Sequence, residues 1–320
     1  MPPTRSALPL TVISTSTLRL VFAPTLGGRL LALAIDGHEL LWQNPDLLDA
    51  HLRPRVPLEE WPKGDGRMDT WANPGGSKTW PAPQGWGGDG QWPGPPDPVI
   101  DSGAWSVGVQ TEAASTTVTM ESPDDPRTGL RVRRGFIIPA LGTDFREQIT
   151  FTNVSARTIR WATWEVCQVN TAPSGTAGRI HAQIEVPSSS RSSVIDLGTW
   201  SGELPISAEG DTWQLTTGRG VAKRGFSKVP GAVEFRDARG FGLRLTSAPV
   251  VGAVYPDGGS QVEIWVQTPT DAPITGLGGL WPREHLAELE LLGPLVTLEP
   301  GDTTESEIRW TTFAAPHDTP

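Results

Sequence analysis

One cysteine, Cys167, and one tyrosine stand among 320 residues. A lone thiol excludes an intrachain disulfide framework. A catalytic thiolate needs a nearby base or cation. The apolar run around Cys167 supplies neither, so a buried, inert thiol is expected. Long hydrophobic runs are also missing. Without about 18 consecutive apolar residues, no membrane-spanning helix is expected. The opening "MPPTRSALPL" lacks a basic stretch followed by a continuous apolar one, so no secretory leader is read and a cytoplasmic location is expected. Positive charge is scarce: Lys and Arg total 26 against 36 for Asp and Glu, a formal net charge of -10. That balance argues against nucleic acid and anionic membrane as partners. The five histidines, His38, His51, His181, His285 and His317, form no metal-ligand spacing, so no metal is expected. There is no Gly-x-Ser-x-Gly elbow, P-loop or dinucleotide fingerprint, so no cofactor is expected either.

What is present is tryptophan, glycine and proline. Glycine reaches 36 and proline 31, which favours many turns between short elements. Strand patterns fill most of the chain. "TLRLVFAPTLGGRLLALAIDGHELLW" reads as successive strands, with Asp36-Gly37 as a hairpin turn. From Ala104 the alternation resumes and runs to "TESEIRWTTF", with turns at "FTNVS" and at 237–240. Only two short stretches, 45–51 and 282–286, look helical. The expected architecture is all-β: a large antiparallel β-sandwich over 1–320 as a single domain. Within it, 43–101 reads as an irregular Trp-rich insertion forming part of a cleft. A structureless segment that long is uncommon unless it is functional.

Of 14 tryptophans, seven lie between Trp42 and Trp105, and "GGSKTWPAPQGWGG" holds two of them. An indole in a loop can pin the loop against proline. It can also serve as a flat platform for a ligand that is apolar on its face and polar at its edge, as a pyranose ring is. Trp71, Trp80 and Trp86 are therefore candidates for pin or platform. Lys78 is either a solvated loop lysine or a cation for a ligand. Carboxylates inside strands add to this. Glu165 has apolar or aromatic neighbours, including Trp164. Glu263 lies in "QVEIWVQ". Glu288 and Glu290 share one face of "LAELELLGP" at strand period two. Desolvation raises a carboxyl pKa and suits acid–base work.

The order of these segments resembles the galactose-mutarotase-like superfamily, which includes aldose 1-epimerases and hexose-6-phosphate mutarotases. "GGRLLALAIDGHELLW" is similar to its opening strand and hairpin. "GGSKTWPAP" is similar to its Gly-Gly…Trp-Pro stretch. "FREQITFTNVSARTIRWATWEVCQVN" and "AELELLGPLVTLEPGDTTESEIRWTTF" are similar to its later strand units. The resemblance implies a β-sandwich with a sugar cleft on a concave sheet, and a small-molecule carbohydrate as partner. It also implies a glutamate that takes the anomeric hydroxyl proton while a histidine protonates the ring oxygen. The glutamate falls on Glu288 or Glu290. Where the family has histidines, this chain has Glu165 and, after the Trp-Pro stretch, Asp101. Glu165, Glu288 and Glu290 are therefore the expected catalytic groups. Lys78, Trp80, Trp86, Trp71, Asp101, Trp164 and Glu263 are the expected substrate contacts. A carboxyl pair acting on one sugar bond has to sit within about 10 Å in one cleft.

Overall fold

The computed structural model describes residues 8–62, 68–85, 92–95, 97–172 and 182–315. In chain order its strands are β1 (Thr11–Ser14), β2 (Leu18–Ala23), β3 (Arg29–Ile35), β4 (His38–Glu39), β5 (Ser77–Ala82), β6 (Ser106–Thr111), β7 (Ser115–Glu121), β8 (Leu130–Pro139), β9 (Asp144–Asn153) and β10 (Ile159–Asn170). They continue as β11 (Gln183–Pro187), β12 (Ser193–Gly202), β13 (Ile206–Glu209), β14 (Thr212–Thr216), β15 (Gly220–Ser227), β16 (Ala232–Arg236), β17 (Gly242–Thr246), β18 (Val262–Gln267), β19 (Leu286–Leu292), β20 (Val296–Leu298) and β21 (Thr303–Phe313). Two antiparallel sheets result. The first runs β1-β2-β3-β5-β10-β19-β18-β15-β12, with β4 on β3 and β20 on β10. The second runs β13-β14-β11-β16-β17-β21-β9-β8-β7-β6. No helix among the described residues is long and apolar enough to cross a membrane.

Burial explains the sequence pattern. Strands β8 and β9 alternate buried and more exposed positions, because only one face of the second sheet meets the core. Strand β10 is buried at nine successive positions, Trp161 to Val169 being closed on both faces. The core between the sheets is aromatic at its centre: Phe22 and Phe136 lie 5.0 Å apart, and Phe145 stacks on Trp310 at 5.3 Å. The Asp36-Gly37 hairpin forms as expected, with both residues at positive φ (49° and 79°) and Ile35 opposite His38. The turn at 237–240 joins β16 to β17.

Two expectations change. Neither helical stretch is a helix: 45–51 folds as turns closed by a Leu48–Pro54 bridge, and Leu286 already opens β19. The stretch 43–101 is not all irregular either. Its Ser77–Ala82 is β5, buried at every position and paired with β10 in the middle of the first sheet. Pro81 fits there because β3 pairs with β5 only at Leu30–Ser77. Beyond that point β5 has a strand on one side, so the missing N–H breaks no ladder.

Candidate functional site

Register assigns each side chain in the first sheet to a face. On β5 and β10, Trp80 lies opposite Trp164 and Lys78 opposite Val166. Across β10, β19, β18 and β15 one row reads Gln168, Glu288, Trp265, Lys223. The row beside it reads Val166, Glu290, Glu263, Gly225. All of these face away from the second sheet. Ser77, Thr79, Glu165 and Cys167, one residue out of step, face the core between the sheets.

That parity corrects the expected pairing of Glu165 with Glu288 or Glu290. Glu165 is fully buried on the opposite face and belongs to an inter-sheet network. Its carboxylate accepts from Ser77, from Thr79 Oγ1 (2.6 Å) and from Arg134 Nη2 (3.0 Å). Arg134 also donates to Glu147 Oε1 at 2.7 Å, and Trp310 Nε1 donates to Glu147 Oε2 at 3.0 Å. Burial pushes the Glu165 carboxyl up to about 8, against the pull of Arg134 and with the Glu147 charge adding to the rise. One guanidinium thus serves two carboxylates, and one carboxyl keeps its proton at neutral pH. Cys167 is buried beside it, and desolvation pushes its thiol up, as expected of an inert thiol.

This network has a measurable signature. Glu165 binds its proton more tightly folded than unfolded, so its stabilising contribution is present below the ordinary carboxylate range. It is lost as pH rises through about 8. Urea unfolding between pH 5 and 9 is expected to show falling stability, with a shallower slope in Glu165→Gln. Identical slopes in the two proteins would rule out this protonation state.

The outer face of the first sheet carries a cavity of about 200 Å³ walled by five indoles, Trp71, Trp80, Trp164, Trp200 and Trp265. Trp80 is the hub: its ring lies 5.9 Å from Trp71, 5.3 Å from Trp164 and 5.1 Å from Trp92. Across the cavity Trp200 and Trp265 lie 5.3 Å apart. Polar groups stand between the rings. Glu288 Oε1 accepts from Lys78 Nζ (3.0 Å) and Gln168 Nε2 (2.7 Å). Lys223 Nζ bridges Glu263 Oε2 (2.7 Å) and Glu290 Oε2 (2.9 Å), and Trp164 Nε1 also donates to Glu290 Oε2 (2.6 Å). The two ammoniums lie over indole faces, Lys78 at 4.4 Å from Trp80 and Lys223 at 4.5 Å from Trp164.

The electrostatics follow from two lysines among three carboxylates. Burial disfavours the Lys223 ammonium, but Glu263 and Glu290 outweigh it and raise its pKa. Burial lowers that of Lys78, and Glu288 offsets part of the fall. Burial pushes Glu290 up to about 8, opposed by Lys223 and reinforced by Glu263 and Glu288. Four buried polar atoms on this face have no partner among the described residues: Trp80 Nε1, Gln168 Oε1, Glu263 Oε1 and Glu290 Oε1. Unpaired buried groups of this kind are costly unless a ligand or solvent meets them.

The structure brings together Lys78, Trp80, Trp71, Trp164, Glu263, Glu288 and Glu290 on or beneath this face. Glu288 lines the cavity, while Glu290 and Glu263 are sealed under Lys223 and Trp164. Trp80 is at once pin and wall, being 3% exposed. Asp101 is not in the cleft: its Oδ2 takes the Trp71 indole N–H at 2.8 Å from behind. Trp86 lies outside the described residues. Sequence reasoning missed Lys223, Gln168, Trp200, Trp265 and Gln267. Three of these were within reach, because Gln168 shares the parity of Trp164, and Trp265 and Gln267 share that of Glu263. Lys223 and Trp200 carry no local signal.

Several comparisons bear on this arrangement. No curated protein matches the chain in sequence. A crystal structure of a TPR-domain containing protein from Parabacteroides distasonis is similar over 97% of this chain, at 12% identity and TM-score 0.58. The chain spans about half of that protein, 48% of its length. A Synechocystis protein matches over 98% of both chains at 12% identity and TM-score 0.61. A galactose mutarotase-like protein from Lactobacillus casei matches over 95% of this chain and 100% of its own, at 12% identity and TM-score 0.54. Identities this low establish the fold, a galactose-mutarotase-like β-sandwich. Residues 10–313 match one family model, and the chain belongs to that family, described as Domain of unknown function (DUF4380).

Proposed function

We propose that the indole-walled cleft binds a single sugar ring and that Glu288 moves a proton at its anomeric centre. The observation that carries this is the cleft itself: five indoles around a floor of Glu288, Gln168, Gln267 and Lys223. Indole faces suit the C–H face of a pyranose, and the carboxylate, amides and ammonium suit its hydroxyls. A volume of about 200 Å³ is small, which favours one ring over an oligosaccharide. Drug-sized ligands occupy pockets of roughly 300–1,000 Å³. Glu288 is the carboxylate that reaches the cavity, so it takes the anomeric hydroxyl proton. The ring then opens, the positive charge of the cavity-lining Lys223 stabilises the departing ring oxygen as an oxyanion, and Glu288 returns its proton to the anomeric oxygen on reclosure. Rotation about C1–C2 and reclosure give the other anomer. Fold kinship with mutarotase-like proteins supports this reading.

A second reading, sugar binding without chemistry, draws on one observation: no histidine among the described residues lines the cavity. Two measurements separate the readings. Tryptophan fluorescence is expected to change on titration with at least one free aldose from a panel of hexoses and pentoses. Exchange NMR of the same aldose is expected to show faster interconversion of its anomers with the protein present. Binding with unchanged exchange leaves only the second reading; no fluorescence response to any sugar defeats both. Trp200, half-buried on the cavity wall, is the least entangled of the indoles. Trp200→Ala is expected to weaken sugar binding about 3- to 10-fold, the loss of one aromatic stacking contact.

A further inference from the structure

A second cavity of about 390 Å³ opens behind Trp71, next to the cleft but separate from it. Its lining includes Thr25, Arg29, Trp61 and Asp101. Three buried donors in that lining have no partner among the described residues: Arg29 Nε, Trp61 Nε1 and Thr25 Oγ1. Arg29 is wholly buried and Trp61 is 7% exposed. The rest of the guanidinium is engaged. Its Nη1 donates to Gly75 O at 3.1 Å, and its Nη2 to Asp101 Oδ1 at 2.6 Å. Of its three nitrogens, only Nε has no partner among the described residues. Leaving such a donor unpaired in the interior is costly, and three in a single lining are unusual.

We propose that this cavity is a second ligand site, taking a small organic oxyanion through Arg29, Trp61 and Thr25. The class follows from the donor–acceptor count. Both oxygens of Asp101 are taken, Oδ1 by Arg29 and Oδ2 by the Trp71 indole. A hydroxyl entering the cavity would have to share Asp101 oxygens that already accept from Arg29 and Trp71. A carboxylate or phosphate ester brings acceptors only, and meets three donors. Leu26, Leu58, Pro62 and Pro74 complete the wall with apolar surface, which fits an organic body behind the charged group. Asp101 ties the two sites together, since the Trp71 ring it holds is a wall of the cleft.

The test uses the indole N–H signal of Trp61 in the 15N-labelled full chain, assigned by its loss in Trp61→Phe. Inorganic phosphate, D-glucuronate and uncharged D-glucose are titrated separately. Phosphate or glucuronate is expected to shift the Trp61 signal, and glucose is not. A response to phosphate alone points to a phosphate ester; a response to glucuronate alone points to a carboxylate. Trp61→Phe and Thr25→Val are each expected to weaken oxyanion binding about 10-fold, read by calorimetry. Trp200→Ala, in the other cleft, is expected to leave it unchanged, so this site can stand or fall without the sugar reading. The proposal is overturned if neither oxyanion moves the signal. It is equally overturned if glucose moves it as far, or if both variants bind as tightly as the wild type.

Discussion

Replacing Arg134 by methionine is expected to destabilise the protein by about 3–5 kcal/mol, the usual result of stripping the partner from a buried charge. The side chain leaves β8 and fills every one of its donor positions inside the sandwich. Its Nε and Nη2 reach Glu147 (2.7 Å) and Glu165 (3.0 Å), both wholly buried. Its Nη1 donates to Gly28 O and Ser77 O, each at 2.9 Å, and its Nη2 donates to Ser77 Oγ at 2.8 Å. One residue of the second sheet thereby holds two strands of the first. Methionine matches the stem but leaves two carboxyls facing each other in a dry interior. The damage has a defined pH dependence. Without the guanidinium, which pulls its pKa down, the Glu165 carboxyl binds its proton more tightly still, so the deficit shrinks at pH 5 and widens at pH 8. Urea denaturation at the two pH values measures it. A loss below about 1 kcal/mol at pH 8 would mean that solvent reaches the network.

Glu288→Gln is expected to slow anomer interconversion by about 100- to 10,000-fold, the span usually lost with a positioned proton-transfer group. Sugar affinity is expected to fall much less. The amide keeps the shape of the carboxyl and still accepts from Lys78 and Gln168, whose bonds to Oε1 are 3.0 and 2.7 Å. The exchange cross-peaks should therefore vanish while fluorescence still reports binding. Lys78 is the group to watch in this variant. Burial already lowers its pKa and Glu288 holds it up. Losing the carboxylate pushes the ammonium further towards the neutral amine. A normal exchange rate in Glu288→Gln would transfer the proton-moving role elsewhere in the cleft.

Much of this molecule could be read along the chain. Alternation identified β8, β9 and β21 because each has one face on the core and the other towards solvent. Asp36-Gly37 announced its hairpin because that turn needs positive φ at both residues. Strand β5 was harder. Lys78 and Pro81 are poor strand formers, the first tolerated through a tertiary partner and the second through a missing neighbour. The short turn at 45–51 offered apolar spacing without the length or capping of a helix.

Composition and order alone determined an all-β chain, the family rhythm, and a surplus of indole and strand carboxylate where a ligand could sit. Parity within β10 then placed Glu165 and Trp164 on opposite faces, whatever the rest of the fold did. Only the tertiary structure decided which face was the cleft. It put Glu165 under Arg134, between the sheets, and Glu288 beside Lys78 at the cavity. The physical reason is range. A side chain's face follows from its own neighbours in sequence, but its surroundings come from strands as distant as β5 and β19, Lys78 and Glu288 being 210 residues apart. No local pattern records that meeting.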